Sequence, residues 1–394
     1  MFLKSAGLAA ISGAMLRGQA MLILLLAAYY LDSSELGLYS LVQSLLLTFH
    51  VVAGLGISTA ATQIVAKQNA KDITAIIRFC LISGLTVGLG GFVASVPLSV
   101  LFIGTSGISF EIKLASTVIV LGVVNSAVIG ASIGAKNFIG YFKSSVIATS
   151  VSIVCSWLFI AFYGYRGAIL SILTIELLTF VALYWFVVKG RLLCNLRCDV
   201  NSVIDVIKLA GPVGLSGLFV VPINWYIYKT IVATDGVAAM GLVNALNQWF
   251  ALLVFLPGVI GSALLPYLIS NNNNSVLNGG RYIVLPAVFF AVLLSLFAEY
   301  VIQLYGEYSF QNGYWPFLVM VFSTVFAAYS AMQNNFILAK FNNIIILVAN
   351  MLMALITLLA FILSVSYLNA VLAFAVARFG GYAVRVVYVA VKKY

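Results

Sequence analysis

Residues 4–13 read KSAGLAAISG and residues 208–217 read KLAGPVGLSG, so that lysine, alanine, glycine, serine and glycine return after 208 − 4 = 204 positions. The same spacing, within two residues, relates Arg78-Phe79 to Arg281-Tyr282, Ala135-Lys136 to Ala339-Lys340, Tyr165 and Ala168 to Tyr367 and Ala370, and Lys189 to Lys392. One register held along half a chain marks an internal duplication. The chain is therefore expected to fold as two copies of one unit.

The solvent of these units follows from composition. Of 394 residues 63% are hydrophobic and only 8% charged, with a mean hydropathy of +1.15. A soluble domain of this size carries roughly a quarter charged residues, so the medium is a bilayer. There every backbone amide needs an internal partner, and apolar runs of about 20 residues suit helices rather than strands of about 10. The breaks between runs predict twelve spans, at 8–31, 36–66, 79–103, 114–135, 144–163, 168–188, 209–233, 237–269, 282–305, 314–339, 344–364 and 369–391. The run after Lys4 carries Arg17 at its middle and lacks a small-residue cleavage site, so it reads as a first span and not as a signal peptide.

Basic residues orient these spans. With the N-terminus in the cytoplasm, the inside segments hold fourteen of the 20 Lys and Arg, among them Lys4, Lys136, Lys189, Lys208, Arg281 and Lys392, against Lys113 and Arg166 outside. This is the positive-inside bias, and it puts both termini in the cytoplasm. The net charge of +10 is thus a topology signal facing anionic lipid, and no nucleic-acid partner is expected. Repeat-related basic residues fall on the same side, which makes the halves parallel copies related by a pseudo-two-fold axis along the membrane normal. The fold expected is an all-α membrane protein with six-helix lobes at 1–190 and 209–394 and a cytoplasmic connector at 191–208, amphipathic on the inner leaflet. A cleft between two such lobes opens to either side by rocking, and prolines 97, 212, 222, 257, 266 and 286 supply bends.

Intramembrane charges are the best functional pointers because each costs roughly 2.5–3.5 kcal/mol to insert. Those that stand out are Arg17, Lys229, Arg378 and Arg385, with Glu176 as their acidic counterpart. Arg378 and Arg385, seven residues apart, share a helical face. Glu176 and Arg378 are repeat-equivalent, since 378 − 176 = 202, and are candidates to pair or, for Glu176, to bind a coupling ion. The surplus of cations suggests that the cargo is anionic, and the planar guanidinium fork suits phosphate or diphosphate oxygens. Lys229 and Arg385 also lie within snorkelling reach of an interface. Gln19, Asn125, Asn224, Asn244, Asn247, Gln248, Gln333 and Asn334 are polar candidates for lining a cleft or for joining helices. His50 reads as a packing residue, and Cys194 and Cys198 lack a second ligand pair, so neither a metal nor a cofactor is expected.

The opening Lys4–Gly13, the segment LGLYSL at 36–41, Gly54-Leu-Gly56, the triplet NWY at 224–226 and LPY at 265–267 resemble the polysaccharide-exporter branch of the superfamily that also holds multidrug-extrusion transporters and the peptidoglycan-precursor flippase. Within it the chain is most similar to the O-antigen (polysaccharide repeat-unit) flippase group, Wzx-like. The resemblance covers nearly the whole chain but rests on no short catalytic motif. It implies transport of an undecaprenyl-diphosphate-linked oligosaccharide from the cytoplasmic to the periplasmic leaflet of the inner membrane, in lipopolysaccharide biosynthesis. It also implies polymerase and chain-length machinery as partners, a coupling proton or sodium ion, and a correspondence of the family's basic cavity residues with Arg17 and Arg378. Two alternatives stand beside it. An ion-coupled exporter of organic cations calls for several intramembrane carboxylates, and a membrane polymerase or glycosyltransferase calls for a sizeable outer loop. This sequence offers Glu176 for such a cleft, and its outer loops are short.

Overall fold

The computed structural model describes residues 2–391 except 55, 67–71, 105, 189–199, 271–279 and 340–342. The first part of the expected connector with Cys194 and Cys198, the asparagine run 271–274, and Lys189, Lys340 and Lys392 lie outside the described residues. Every described regular element is helical. By internal contacts the chain divides into two compact units, residues 1–19 with 39–221 and residues 20–38 with 222–394.

The first unit draws on the start of α1 (Phe2–Tyr30), most of α2 (Ser33–Gly54), α3 (Ile57–Ala66), α4 (Asp72–Val93), α5 (Ser95–Ile103), α6 (Ser109–Gly134), α7 (Phe138–Leu183), a π-helical turn (Tyr184–Val188) and the start of α8 (Val200–Asp235). Residues 200–208 of the expected connector thus open α8. The hub is α6, which packs against α3, α4 and α7. Small residues permit this close packing, as bilayer interfaces require. A Cβ on Gly130 would fall 2.2 Å from the carbonyl oxygen of Ser58, and Thr62 Oγ1 donates to the Gly130 carbonyl at 3.0 Å. At 46 residues α7 would run about 69 Å, more than twice the ~30 Å of hydrocarbon. It is two spans, divided at Gly164, where φ is 55° and ψ is −130°, a backbone conformation that only glycine adopts without strain. The divide falls between the expected fifth and sixth spans.

The second unit holds the end of α1, the start of α2, most of α8, α9 (Ala238–Ser270), α10 (Gly280–Leu296), α11 (Ala298–Gln303), α12 (Glu307–Asn312), α13 (Tyr314–Ala339), α14 (Asn343–Ser364) and α15 (Ala370–Val391). Its hub is α13, against α9, α10 and α15, with α14 packed on α15. Aromatic edges lock these contacts: Trp249 meets Phe317 edge-on at 6.2 Å and Phe326 meets Phe379 at 5.1 Å.

The duplication is written in the backbone. The helix pair α4 and α5 breaks at Ala94 (φ −78°, ψ 3°), and α10 and α11 break at Phe297 (φ −106°, ψ 16°), with 297 − 94 = 203. Each break is followed by a glycine in the left-handed region, Gly104 and Gly306, with 306 − 104 = 202. The hubs α6 and α13 are both 26 residues long.

Among the described residues nine helical runs are long and apolar enough to cross a membrane, one of them the α7 run Phe138–Val187 that Gly164 divides. The shorter apolar helix Val284–Leu296 and the 36-residue α8 complete the set, so each of the twelve expected spans coincides with helix. Large apolar side chains such as Leu89, Phe162, Leu296 and Leu363 are exposed, as a lipid-facing surface demands. Exposed aromatics gather at the ends of spans: Tyr29, Tyr163, Tyr300, Trp315 and Tyr367 flank connections that follow odd-numbered spans, the positions of an interfacial belt.

Candidate functional site

In the first unit the one intramembrane carboxylate is held by an amide. Asn125 on α6 donates from Nδ2 to Glu176 Oε2 at 2.9 Å and to the Glu176 carbonyl at 3.0 Å. Asn125 is 4% exposed, and its Oδ1 is without a hydrogen-bond partner, while Glu176 is half-buried. On α1, Gln19 is 1% exposed; its Oε1 accepts from Thr149 Oγ1 at 3.2 Å and its Nε2 is unpartnered. Two residues earlier the helix has turned by about 200°, and Arg17 is exposed, interacting electrostatically with the buried Tyr141 of α7.

In the second unit Arg378 on α15 sits among aromatic faces. Its guanidinium carbon lies 4.1 Å from the centroid of Phe250 and 5.7 Å from that of Phe374, and Nη1 donates to Asn247 Oδ1. Tyr228 interacts with both Arg378 and Asn247 and meets Phe374 edge-on, and Tyr382 packs on Phe250. The periodicity explains the assembly: Phe374, Arg378 and Tyr382 are four residues apart on α15, and Asn247 and Phe250 three apart on α9, so each set shares a helix face. A guanidinium over aromatic faces is held by the ring quadrupole without being neutralised. Asn247 supplies an amide dipole and no charge, so the cluster keeps its positive charge.

Arg385, two turns further on, has its own hydrogen-bond partners and interacts electrostatically with Tyr382. It is 2% exposed, Nε donates to Asn350 Oδ1 at 2.8 Å, Nη2 donates to Asn334 Oδ1 at 2.5 Å, and Nη1 is unpartnered. Nearby, Gln333 Nε2 donates to the Val386 carbonyl at 3.2 Å. Lys229 is exposed on α8. Asn224, Asn247 and Gln248 are half-buried, and Asn244 is buried.

Of the residues singled out in the sequence, the structure brings together Arg378 with Asn247, Glu176 with Asn125, and Arg385 with Asn334. It places Arg17 and Glu176 in the first unit and Lys229, Arg378 and Arg385 in the second. Glu176 and Arg378 each take an amide partner within their own unit. The aromatic residues around Arg378 escaped the sequence reading, since aromatics in an apolar helix look like core. Their signal was the four-residue spacing of Phe374 and Tyr382 about Arg378.

The chain's fold is shared with solved transporters. An outward-facing multidrug resistance MATE family transporter of the MOP superfamily matches with a TM-score of 0.77 at 15% identity, covering 99% of this chain and 96% of that one. An inward-facing structure of such a transporter matches at 0.69 and 14% identity, covering 96% and 98%. A MOP superfamily transporter from Pyrococcus furiosus, described by the reverse polarity of its binding pocket, matches at 0.73 and 15% identity, covering 99% and 95%. No curated protein matches in sequence. The sequence profile of the polysaccharide biosynthesis protein family matches residues 2–272, more than half of the chain, and the chain belongs to that family.

Proposed function

We propose that this protein is a flippase that carries an undecaprenyl-diphosphate-linked O-antigen repeat unit from the cytoplasmic to the periplasmic leaflet of the bacterial inner membrane by alternating access. The observation that carries the reading is the charge balance within the spans: Arg17, Lys229, Arg378 and Arg385 stand against Glu176 and Glu299, and the hydrogen-bond partner of Arg378, Asn247, is a neutral amide. A guanidinium held by aromatic faces and a neutral amide, as at Arg378, keeps its charge in a low-dielectric region at a cost that a visiting anion relieves. A diphosphate headgroup fits that requirement, with the polyprenyl tail left in lipid. Membership of the polysaccharide biosynthesis family supports the saccharide part of the cargo.

In this reading Arg17, Arg378 and Lys229 are the headgroup ligands, Arg385 supports the same field, and Gln19, Asn224, Asn244, Asn247 and Gln248 engage polar parts of the cargo. Residues 1–190 and 209–394 are the two lobes, and both termini are cytoplasmic. Carrying negative charge outward from an inside-negative compartment is favourable by about 2.3 kcal/mol per charge per 100 mV, and Glu176 is the candidate for binding a coupling proton. Polymerase and chain-length machinery would receive the product.

The multidrug transporters of the same fold favour a second reading, export of organic cations. Against it, the aromatic faces that would receive a cation in the second unit are taken by the guanidinium of Arg378. The test is display of O-antigen on cells. Arg17→Ala and Arg378→Ala are expected to abolish it while protein levels in the membrane hold, and Arg378→Lys to restore only part of it, because a point charge does not reproduce the planar fork. Normal display from both alanine variants removes these residues from the headgroup site. Unaltered O-antigen in the deletion strain, with a gain in sensitivity to cationic drugs, selects the second reading.

A further inference from the structure

We infer that Arg385, Asn334 and Asn350 form a binding site for a small monovalent anion of halide size, buried inside the second unit. A guanidinium keeps its charge in proteins, and Arg385 is 2% exposed with one nitrogen, Nη1, unpartnered. Its two hydrogen-bond acceptors, Asn334 Oδ1 and Asn350 Oδ1, are neutral. No Asp or Glu occurs in α13, α14 or α15, nor in α9 and α10, which pack on α13. The carboxylates of the described residues in the unit are Asp32 and Glu35 at the start of α2, Glu299 and Glu307 on α11 and α12, and Asp235 at the end of α8, where Asp235 accepts from the Val371 amide at the far end of α15. The enclosing helices thus contain no countercharge, and burying an unpaired charge is strongly unfavourable.

The duplication shows that the fold does not require this charge. At the repeat spacing of 202 to 204 residues, Arg385 corresponds to positions 181–183, Asn334 to 130–132 and Asn350 to 146–148, which read VAL, GAS and VIA. The first half packs the same helices without an ionisable or amide group at these places. A polar triad added to one copy of a packing that works without it is a site.

The surroundings select the ligand. Ile337, Ile346, Ala349 and Val389 form a buried apolar cluster, each within four residues of a member of the triad along its helix. Such walls suit an anion that sheds water readily and oppose a phosphate dianion. Arg385 Nη1 and the amide nitrogen of Asn334 are the donors available to it. The inference concerns occupancy of a site and not transport; a bound halide neutralises Arg385, and the field at the headgroup then rests on Arg17, Lys229 and Arg378.

The test uses purified full-length protein in detergent, with the Tm compared in sodium chloride and sodium gluconate at equal ionic strength. Chloride is expected to raise the Tm saturably, as a ligand of the folded state does, with bromide equivalent and phosphate without effect. The rise should vanish in Arg385→Met, and in Asn334→Leu, which keeps the arginine, its midpoint should move to roughly tenfold higher chloride, the loss of one hydrogen bond. Crystals grown in bromide should show an anomalous peak at hydrogen-bonding distance from Arg385. Equal Tm in chloride and gluconate overturns the proposal, as does a chloride increment that survives in Arg385→Met. A rise with phosphate and none with halide overturns it as well, and would assign the guanidinium to phosphate chemistry.

Discussion

Glu176 faces a partner that suits either of its protonation states. As a carboxylate it accepts from Asn125 Nδ2, and as an acid its hydroxyl has the unpartnered Asn125 Oδ1 within the same amide to donate to. An amide side chain in place of the acid satisfies the same partner, so Glu176→Gln should fold with a Tm close to the parent while transport loses any sensitivity to a protonophore. Asn125→Leu leaves a half-buried carboxylate without its donor and should lose about 1–3 kcal/mol of stability. Protonophore sensitivity that persists in Glu176→Gln, read from O-antigen display, would take the coupling role away from this residue. The rare charges were legible in the sequence because a bilayer makes them expensive, and Glu176 and Arg378 stood out on that ground alone. Their partners were not. Asn125 lies 51 positions from Glu176 and Asn247 lies 131 from Arg378, and helical periodicity says which face a residue occupies without saying which helix that face meets. The amide pool is therefore legible, Asn334 included, but not its sorting among Glu176, Arg378 and Arg385.

At the scale of elements, α15 begins on two side-chain caps. Asn369 Oδ1 accepts from the Leu372 amide at 2.8 Å, and Asp235 Oδ2, from the end of α8, accepts from the Val371 amide at 3.3 Å. The first four amides of a helix have no partner within it, so Asn369→Ala should cost about 1 kcal/mol, seen as a lower Tm, and Asn369→Asp should recover most of it. An unchanged Tm in the alanine variant would mean that Asp235 alone sustains the end of the helix. The twelve spans were legible because apolar runs and charged breaks are spaced by the thickness of the bilayer. The breaks inside spans were less so. Pro97 accounts for the one at Ala94, since its ring crowds the carbonyl four residues earlier, at Val93. Nothing local announces the break at Phe297, which has no proline beside it. Only the duplication places it, one repeat length beyond Ala94, because the second copy keeps the backbone of the first after the residue that caused the bend has changed.

For the whole molecule, the duplication carries a topological consequence that hydropathy alone does not. A shift of 204 residues in sequence advances the chain by six crossings, and an even number of crossings returns it to the same side. Lys136 and Lys340 must then face one compartment, and so must Asp32 and Asp235, which lie in the connections on the other. Each basic side chain near an anionic surface contributes about 1 kcal/mol, and fourteen of 20 fall on the side assigned to the cytoplasm, so the preference is set by many small terms and survives the loss of any one. Alkaline phosphatase fused after Asp32, Asp235 or Tyr367 should therefore be active, and fused after Lys136, Lys340 or Lys393 inactive. Removing Lys136 alone should leave the pattern unchanged. Opposite activities at Lys136 and Lys340 would require an odd number of crossings between them, which makes the halves inverted copies; the basic residues matched across the repeat would then lie on opposite faces of the membrane, and the parallel two-lobed arrangement on which alternating access is proposed would be lost.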